Sequence, residues 1–145
     1  GLELGRINIA ARGAGMAKGA TNMALHYAMD RKTFGKSIAE HQAIQLKLAE
    51  MSTRAAAAEL LVHQAADKFD RHERCDLEAG QAKFFASEAA VQNSLDAMRV
   101  FGGYSYSPEY EIERFYRDAP LLCIGEGTNE IQRMIIAKQM VARAS

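Results

Sequence analysis

Near the end of the chain a single carboxylate stands between two glycines, in the run Gly125-Glu126-Gly127-Thr128. The apolar stretch Leu121-Leu122-Cys123-Ile124 precedes it, and a helix start, Thr128-Asn129-Glu130-Ile131-Gln132, comes after it. Flanking glycines remove the side chains that would keep a substrate away, and they permit backbone angles closed to other residues. A carboxylate presented in this way, beside apolar neighbours, is a candidate general base. The plainer reading is a helix-helix connection whose glycines serve a turn and whose glutamate faces water.

Two other segments carry residues suited to binding. Arg31-Lys32-Thr33-Phe34-Gly35 sets a guanidinium beside an aromatic ring and a glycine, a combination that can clamp a phosphate next to a stacking surface. The same basic residues would equally offset the negative end of a helix dipole. Phe101-Gly102-Gly103-Tyr104 offers bare backbone that a large planar or phosphorylated ligand could approach, and it also stops a helix. Other motifs fail. Gly13, Gly15 and Gly19 have the wrong spacing for a dinucleotide fingerprint and lie inside a helical pattern rather than after a strand. His26, His41, His63 and His72 lack a Glu-x-x-His partner, so no metal site is expected, and His63 and His72 are expected on solvated faces. No Gly-x-Ser-x-Gly nucleophile elbow occurs.

The elements that must position these segments are helical. Residues 3–29 contain no proline and are rich in Ala, Met and Leu, predicting a helix ~40 Å long. Its glycines (Gly5, Gly13, Gly15, Gly19) weaken it locally but admit a close neighbour. Asp30 to Lys36 breaks the pattern, and Ser37 can cap the next element. Ile44, Leu48, Met51, Ala55, Ala58, Val62, Ala65 and Phe69 recur at spacings of four and three, a heptad-like stripe for antiparallel packing. Asp70 to Glu73 ends that helix. A third runs from about Asp76 to Val100, with small residues at Ala79, Ala82, Ala86, Ala90, Asn93 and Ala97. Residues 104–127, marked by Pro108 and Pro120, read as irregular or as one short helical turn. The last helix runs from Asn129 to Ala144, with Ile131, Met134, Ile135, Lys138 and Val141 on one side. No strand alternation is visible. The expected architecture is all-α, an up-down-up-down four-helix bundle.

At 145 residues and 48% hydrophobic, the chain forms one domain with a real core. Its 18 basic and 18 acidic residues cancel, which argues against a nucleic-acid or membrane-surface binder. Cys75 and Cys123 form no short motif and are expected as reduced thiols in a cytosol-like compartment. No run of about 18 apolar residues and no leader are present. The chain opens on Gly1 and reads as a piece of something longer.

Four separated motifs, in order and spacing, resemble the C-terminal helical domain of the acyl-CoA dehydrogenase family over essentially residues 1–145. They are Asp30 to Lys36, His41-Gln42-Ala43-Ile44-Gln45, Phe101 to Tyr104, and Tyr116-Arg117-Asp118-Ala119 running on to Gly125 through Arg133. The resemblance implies an FAD-dependent dehydrogenase whose N-terminal helical and middle β domains are absent here. Its FAD would cross a subunit interface in a dimer or tetramer, its substrate would be an acyl-CoA, and an electron-transfer flavoprotein would be the acceptor. Location would be the bacterial cytoplasm or, in a eukaryote, the mitochondrial matrix.

By the same resemblance Arg31 meets the FAD pyrophosphate of the neighbouring subunit, with Lys32 and Thr33 alongside and Phe34 against the cofactor. His41 and Gln42 follow it further, and Arg99, Val100, Phe101, Gly102 and Gly103 approach its adenosine half. Thr128, Asn129 and Glu130 contact FAD from a helix start. Glu3, Leu4, Gly5 and Arg6 lie near the acyl-CoA, Gly127 touches the thioester end, and Glu126 is the catalytic base. Glu126 would take the α proton while the flavin N5 takes the β hydride, and burial against the acyl chain would strengthen the base. Some members carry the base on the first helix, where this chain has Gly5, so the arrangement resembles the short- and medium-chain type. Arg99 departs from the glutamine of many relatives. Asn129-Glu130 replaces the commoner Ser followed by Glu or Gln. The isolated domain is expected to be inactive. An acyl-CoA oxidase, a flavin monooxygenase of the same scaffold and a non-catalytic helical assembly module are the alternatives.

Overall fold

The computed structural model describes residues 1–145. Five helices make the fold: α1 (Leu2–Asp30), α2 (Gln42–Asp70), α3 (Asp76–Phe101), α4 (Ile112–Ile124) and α5 (Asn129–Ala144). Between α1 and α2 a two-residue hairpin pairs β1 (Lys32–Thr33) with β2 (Lys36–Ser37), antiparallel, with Lys32 opposite Ser37. Short 3-10 turns occur at Ile38–Glu40 and Gly102–Tyr106.

Helix α3 is the axis. It packs against each of the other four helices, and fifteen of its 26 residues are buried. Small side chains allow this. Ala10, Ala14, Ala17, Ala24 and Ala28 of α1 are buried at spacings of three, four and seven, and Ala79, Ala82, Ala86 and Ala90 line α3. Where α1 crosses α3, a β-carbon on Gly13 would lie 2.7 Å from the Ala86 carbonyl oxygen, so only glycine permits that approach. The stripe expected on α2 is the one it buries: Met51, Ala55, Ala58 and Ala65 lie inside, with Ile44, Leu48, Val62 and Phe69 packed on the core edge.

Three details differ from the sequence reading, although the all-α architecture holds. Residues 104–127 contain a 13-residue helix, α4, with Pro120 inside it. The proline forfeits one backbone hydrogen bond, and burial of Ile112, Ala119 and Leu122 along one face offsets the loss. The bundle therefore has a fifth helix. The break at Asp30 to Lys36 is a hairpin, turned by Phe34 (φ 53°) and Gly35 (φ 80°), the left-handed pair that two-residue hairpin loops require. Finally, the apolar side of α5 faces outward. Met134 and Val141 are each 71% exposed, while Asn129, Gln132 and Gln139 are turned inside. The inner face of α5 meets buried polar groups of α3 and crosses it closely at Gly80, so it carries amides rather than large apolar side chains.

Candidate active site

Helix α4 ends at Gly125, and α5 begins at Thr128, whose Oγ1 accepts from the backbone N–H of Ile131. Between them the chain turns through two consecutive left-handed residues, Glu126 (φ 55°) and Gly127 (φ 85°). For a glutamate this conformation costs about 1–2 kcal/mol. It persists because the surroundings fix it, and strain of this kind concentrates at functional sites.

The supports come from two helices. Gln132 Nε2, on the first turn of α5, donates to the carbonyls of Glu126 (3.2 Å) and Gly127 (3.1 Å). From α3, the fully buried Lys83 donates through Nζ to the Gly127 carbonyl and to Asn129 Oδ1, both at 2.9 Å. Burial pushes the Lys83 ammonium below the ordinary lysine range, and Cys123, Glu88 and Glu130 pull it partly back. Asn129 completes the support by donating to Ser87 Oγ (2.9 Å) and Glu88 Oε1 (2.8 Å).

So held, the Glu126 side chain lies over the first turns of α1. A β-carbon placed on Gly5 would be 2.5 Å from its Oε2. The bare α-carbon of Gly5 is the space the carboxylate uses. Glu126 is nevertheless exposed, and the backbone N–H groups of Glu126 and Gly127 donate to no protein acceptor. Around it Leu4 is 45% exposed and Glu3 is half-buried. Arg6 instead turns into the bundle, buried and paired with Asp76 at 3.8 Å.

The second group of residues sits at the far end of α1. Arg31 caps that helix in extended conformation, its guanidinium 5.7 Å from the Tyr104 ring centroid. Thr33 Oγ1 hydrogen-bonds His41 Nε2 at 2.9 Å, and His41 meets the Phe34 ring edge-on at 6.0 Å. Phe34 is 96% exposed in a left-handed conformation, an aromatic ring held out by the hairpin. Arg31, Thr33, Gly102, Gly103 and Tyr104 line one open groove of about 410 Å³. Two segments singled out separately in the sequence thus share a surface. Lys32, Arg99 and Gln42 are exposed near it, Arg99 leaning on Asp96 at 3.4 Å. Val100 and Phe101 are buried, with Phe101 stacked on Tyr27 at 4.2 Å, so their side chains build the groove's floor. Of the α5 residues, Thr128 is half-buried, Asn129 is buried and Glu130 is exposed. No cluster of three His, Cys, Asp or Glu residues is placed to hold a metal, and no helix is long and apolar enough to cross a membrane.

The family model described as "Acyl-CoA dehydrogenase, C-terminal domain" matches residues 1–141. The chain belongs to the acyl-CoA dehydrogenase family. It is 51% identical over 140 residues to an acyl-CoA dehydrogenase of Bacillus subtilis, covering 97% of this chain and 37% of that protein. Among solved structures, butyryl-CoA dehydrogenase from Megasphaera elsdenii superposes with a TM-score of 0.95 at 39% identity, over 97% of this chain and 37% of that one. A structure described as PigA with FAD and proline gives 0.93 at 29% identity, over 98% and 37%. This acyl-CoA dehydrogenase family chain thus spans little more than a third of the length of the relatives it matches. Sequence reasoning missed Lys83 and the clamping role of Gln132. The only signal for Lys83 was its place one position after Ala82 within the small-residue stripe of α3.

Proposed function

We propose that the protein containing this domain is an FAD-dependent dehydrogenase that introduces an α,β double bond into an acyl-CoA thioester, with Glu126 as the base for the α proton. The observation that carries the reading is the strained Glu126, tied down through its own and its neighbour's carbonyls, with its carboxylate seated over Gly5. A connecting loop needs none of these features. When bound, FAD supplies the acceptor for the β hydride. The residues here perform the rest. The carboxylate takes the α proton from a substrate whose apolar chain, packing over Leu4 and the loop, would exclude water and strengthen the base. The free N–H of Glu126 is available to the thioester oxygen, where negative charge develops as that proton leaves.

The groove at Arg31 fits the pyrophosphate and adenosine parts of such a cofactor: a free guanidinium, bare glycine backbone and an outward aromatic ring. It lies nearly the full length of α1 from Glu126, ~40 Å at 1.5 Å per residue. One chain would therefore serve two flavins, its base facing one and its Arg31 the other, in a homodimer or larger homo-oligomer. The exposed Ile124, Ile131, Met134 and Val141 are apolar surface that such assembly would use. The same reading makes an electron-transfer flavoprotein the acceptor of the electrons.

The test is anaerobic titration of the full-length holoprotein with straight-chain acyl-CoAs from butyryl to palmitoyl. Flavin absorbance should bleach with one member of the series in the wild type and not in Glu126→Gln. Normal bleaching in Glu126→Gln would refute the assignment of the base.

A further inference from the structure

A fully buried lysine that makes no ion pair needs a reason to be there. Lys83 is such a residue, and its two partners, the Gly127 carbonyl and the Asn129 side-chain carbonyl, are both neutral. Neither cancels its charge. Burying an ammonium with no counter-ion bonded to it is costly, the more distant Glu88 and Glu130 offset that only in part, and a methionine of similar length would fill the same volume at lower cost. Ser87 and Glu88 hold the other side of Asn129, so the lysine, the first residue of α5 and the base loop form one connected unit. The carbonyl that Lys83 holds belongs to the second of the two left-handed residues. If that carbonyl rotates, the Gly127–Thr128 peptide rotates with it, the left-handed turn at Gly127 is released, and the carboxylate of the adjoining Glu126 leaves its seat over Gly5.

We propose that Lys83 is the positioning residue of the site: from the core of α3 it locks the Gly127 carbonyl and thereby aims the Glu126 carboxylate at the reacting carbon. The proposal rests on Glu126 being the base, and it assigns Lys83 no contact with substrate. Gln132 is a second clamp on the same carbonyl, a neutral amide on α5 that also holds the Glu126 carbonyl, whereas Lys83 ties the loop directly to α3.

The experiment uses full-length, FAD-loaded protein, with butyryl-CoA and α-deuterated butyryl-CoA as probes. Wild type and Glu126→Gln are run first: bleaching in the former and none in the latter establishes the base independently of Lys83. Lys83→Met should then slow bleaching by about 10- to 100-fold, as a displacement near 1 Å does. KM should stay within about threefold, FAD content should be unchanged, and the deuterium isotope effect should rise as proton abstraction becomes limiting. A purely stabilising lysine would lower the melting temperature and leave the rate and isotope effect of the folded fraction at wild-type values, which overturns the proposal. Lys83→Gln, neutral and shorter but still a donor, is read in the same way if Lys83→Met does not fold. Failure of both variants to yield folded holoprotein also overturns the proposal, because Lys83 would then be required for the fold itself.

Discussion

The seat of the carboxylate gives a sharp test, because Gly5→Ala should separate activity from stability. The added β-carbon would lie 2.5 Å from Glu126 Oε2, 2.9 Å from Cδ and 3.4 Å from Oε1. Ordinary contact begins near 3.4 Å, so the carboxylate must retreat by ~1 Å while the loop carbonyls stay clamped. The moving atoms are the end of a flexible side chain, which makes the shift cheap for the fold. Alanine is also the better helix former inside α1 by about 0.5–1 kcal/mol. Catalysis has no such tolerance. A displacement of that size costs about 10²-fold in rate, or ~2.7 kcal/mol of barrier. Stopped-flow bleaching of the full-length holoprotein by butyryl-CoA reads the first quantity, and thermal melting reads the second. Gly15→Ala is the control, since nothing lies within 4 Å of its added β-carbon; it should leave the bleaching rate unchanged. A Gly5→Ala protein that bleaches at the wild-type rate would refute the geometry, as would one that merely melts earlier.

Two further outcomes are set by the packing. Gly13→Ala would place its β-carbon 2.7 Å from the Ala86 carbonyl oxygen and 3.0 Å from the Ser87 nitrogen, backbone atoms that cannot swing aside. It should destabilise by about 1–3 kcal/mol, lowering the melting temperature by about 2–4 °C per kcal/mol, and an unchanged melting temperature would show that the two helices separate freely. Glu78 should govern acid sensitivity: Arg143 and Lys68, each hydrogen-bonded to it at 2.7 Å, hold its carboxyl down to about 2 against an ordinary 4.5, although burial opposes them. A folded pKa below the unfolded one stabilises above pH 4.5 and loses that stabilisation as pH falls toward 2, at most about 3 kcal/mol in all. Urea unfolding of wild type and Glu78→Gln should therefore show a stability gap that closes between pH 5 and 2.5, and a gap constant over that range would contradict the assignment.

Most of the helical frame was legible because period and punctuation agree. The ends of α2, α3 and α5 fall at charged runs, paired glycines and a threonine cap. Helix α4 was not, although Ile112, Phe115, Ala119 and Leu122 follow a three-four-three spacing. Pro108 and Pro120 mask that signal in the sequence, and burial of one face of α4 in the tertiary fold overrides them. The hairpin escaped because its turn places phenylalanine, rather than asparagine or glycine, in the left-handed region. The outward side of α5 escaped for a related reason: an apolar stripe implies burial only when the partner surface is apolar, and α3 offers α5 polar groups instead. In the site, Glu126 was legible from its glycines and from the neighbouring motifs. The resemblance already brings Gly5 to the same site, as the first-helix position of the base in other members; the direct contact was not legible, because Gly5 lies about 120 residues away in sequence and only the crossing of α1 with the loop joins them.

For Glu126 to act as the proposed base, that crossing has to be accurate to well under 1 Å, and an alanine-rich core does not guarantee it. Alanine ridges are shallow, so two such helices can slide past one another with little change in buried area. The polar side chains along α3 supply what the alanines lack. Glu78 grips α5 through Arg143 and α2 through Lys68. Asn93 donates to the carbonyls of Ala17 on α1 (3.2 Å) and Met51 on α2 (2.8 Å). Asp96 takes both terminal nitrogens of Arg54 at 2.8 and 3.0 Å. Lys83 holds the Glu126–Gly127 loop through the Gly127 carbonyl. Each contact is directional, and a slide of one residue, 1.5 Å, would break it and leave buried polar atoms unpaired. The polar groups of α3 therefore set the register of α1, α2 and α5 together, and the meeting of Gly5 with Glu126 is a consequence of that register rather than of local sequence at either residue.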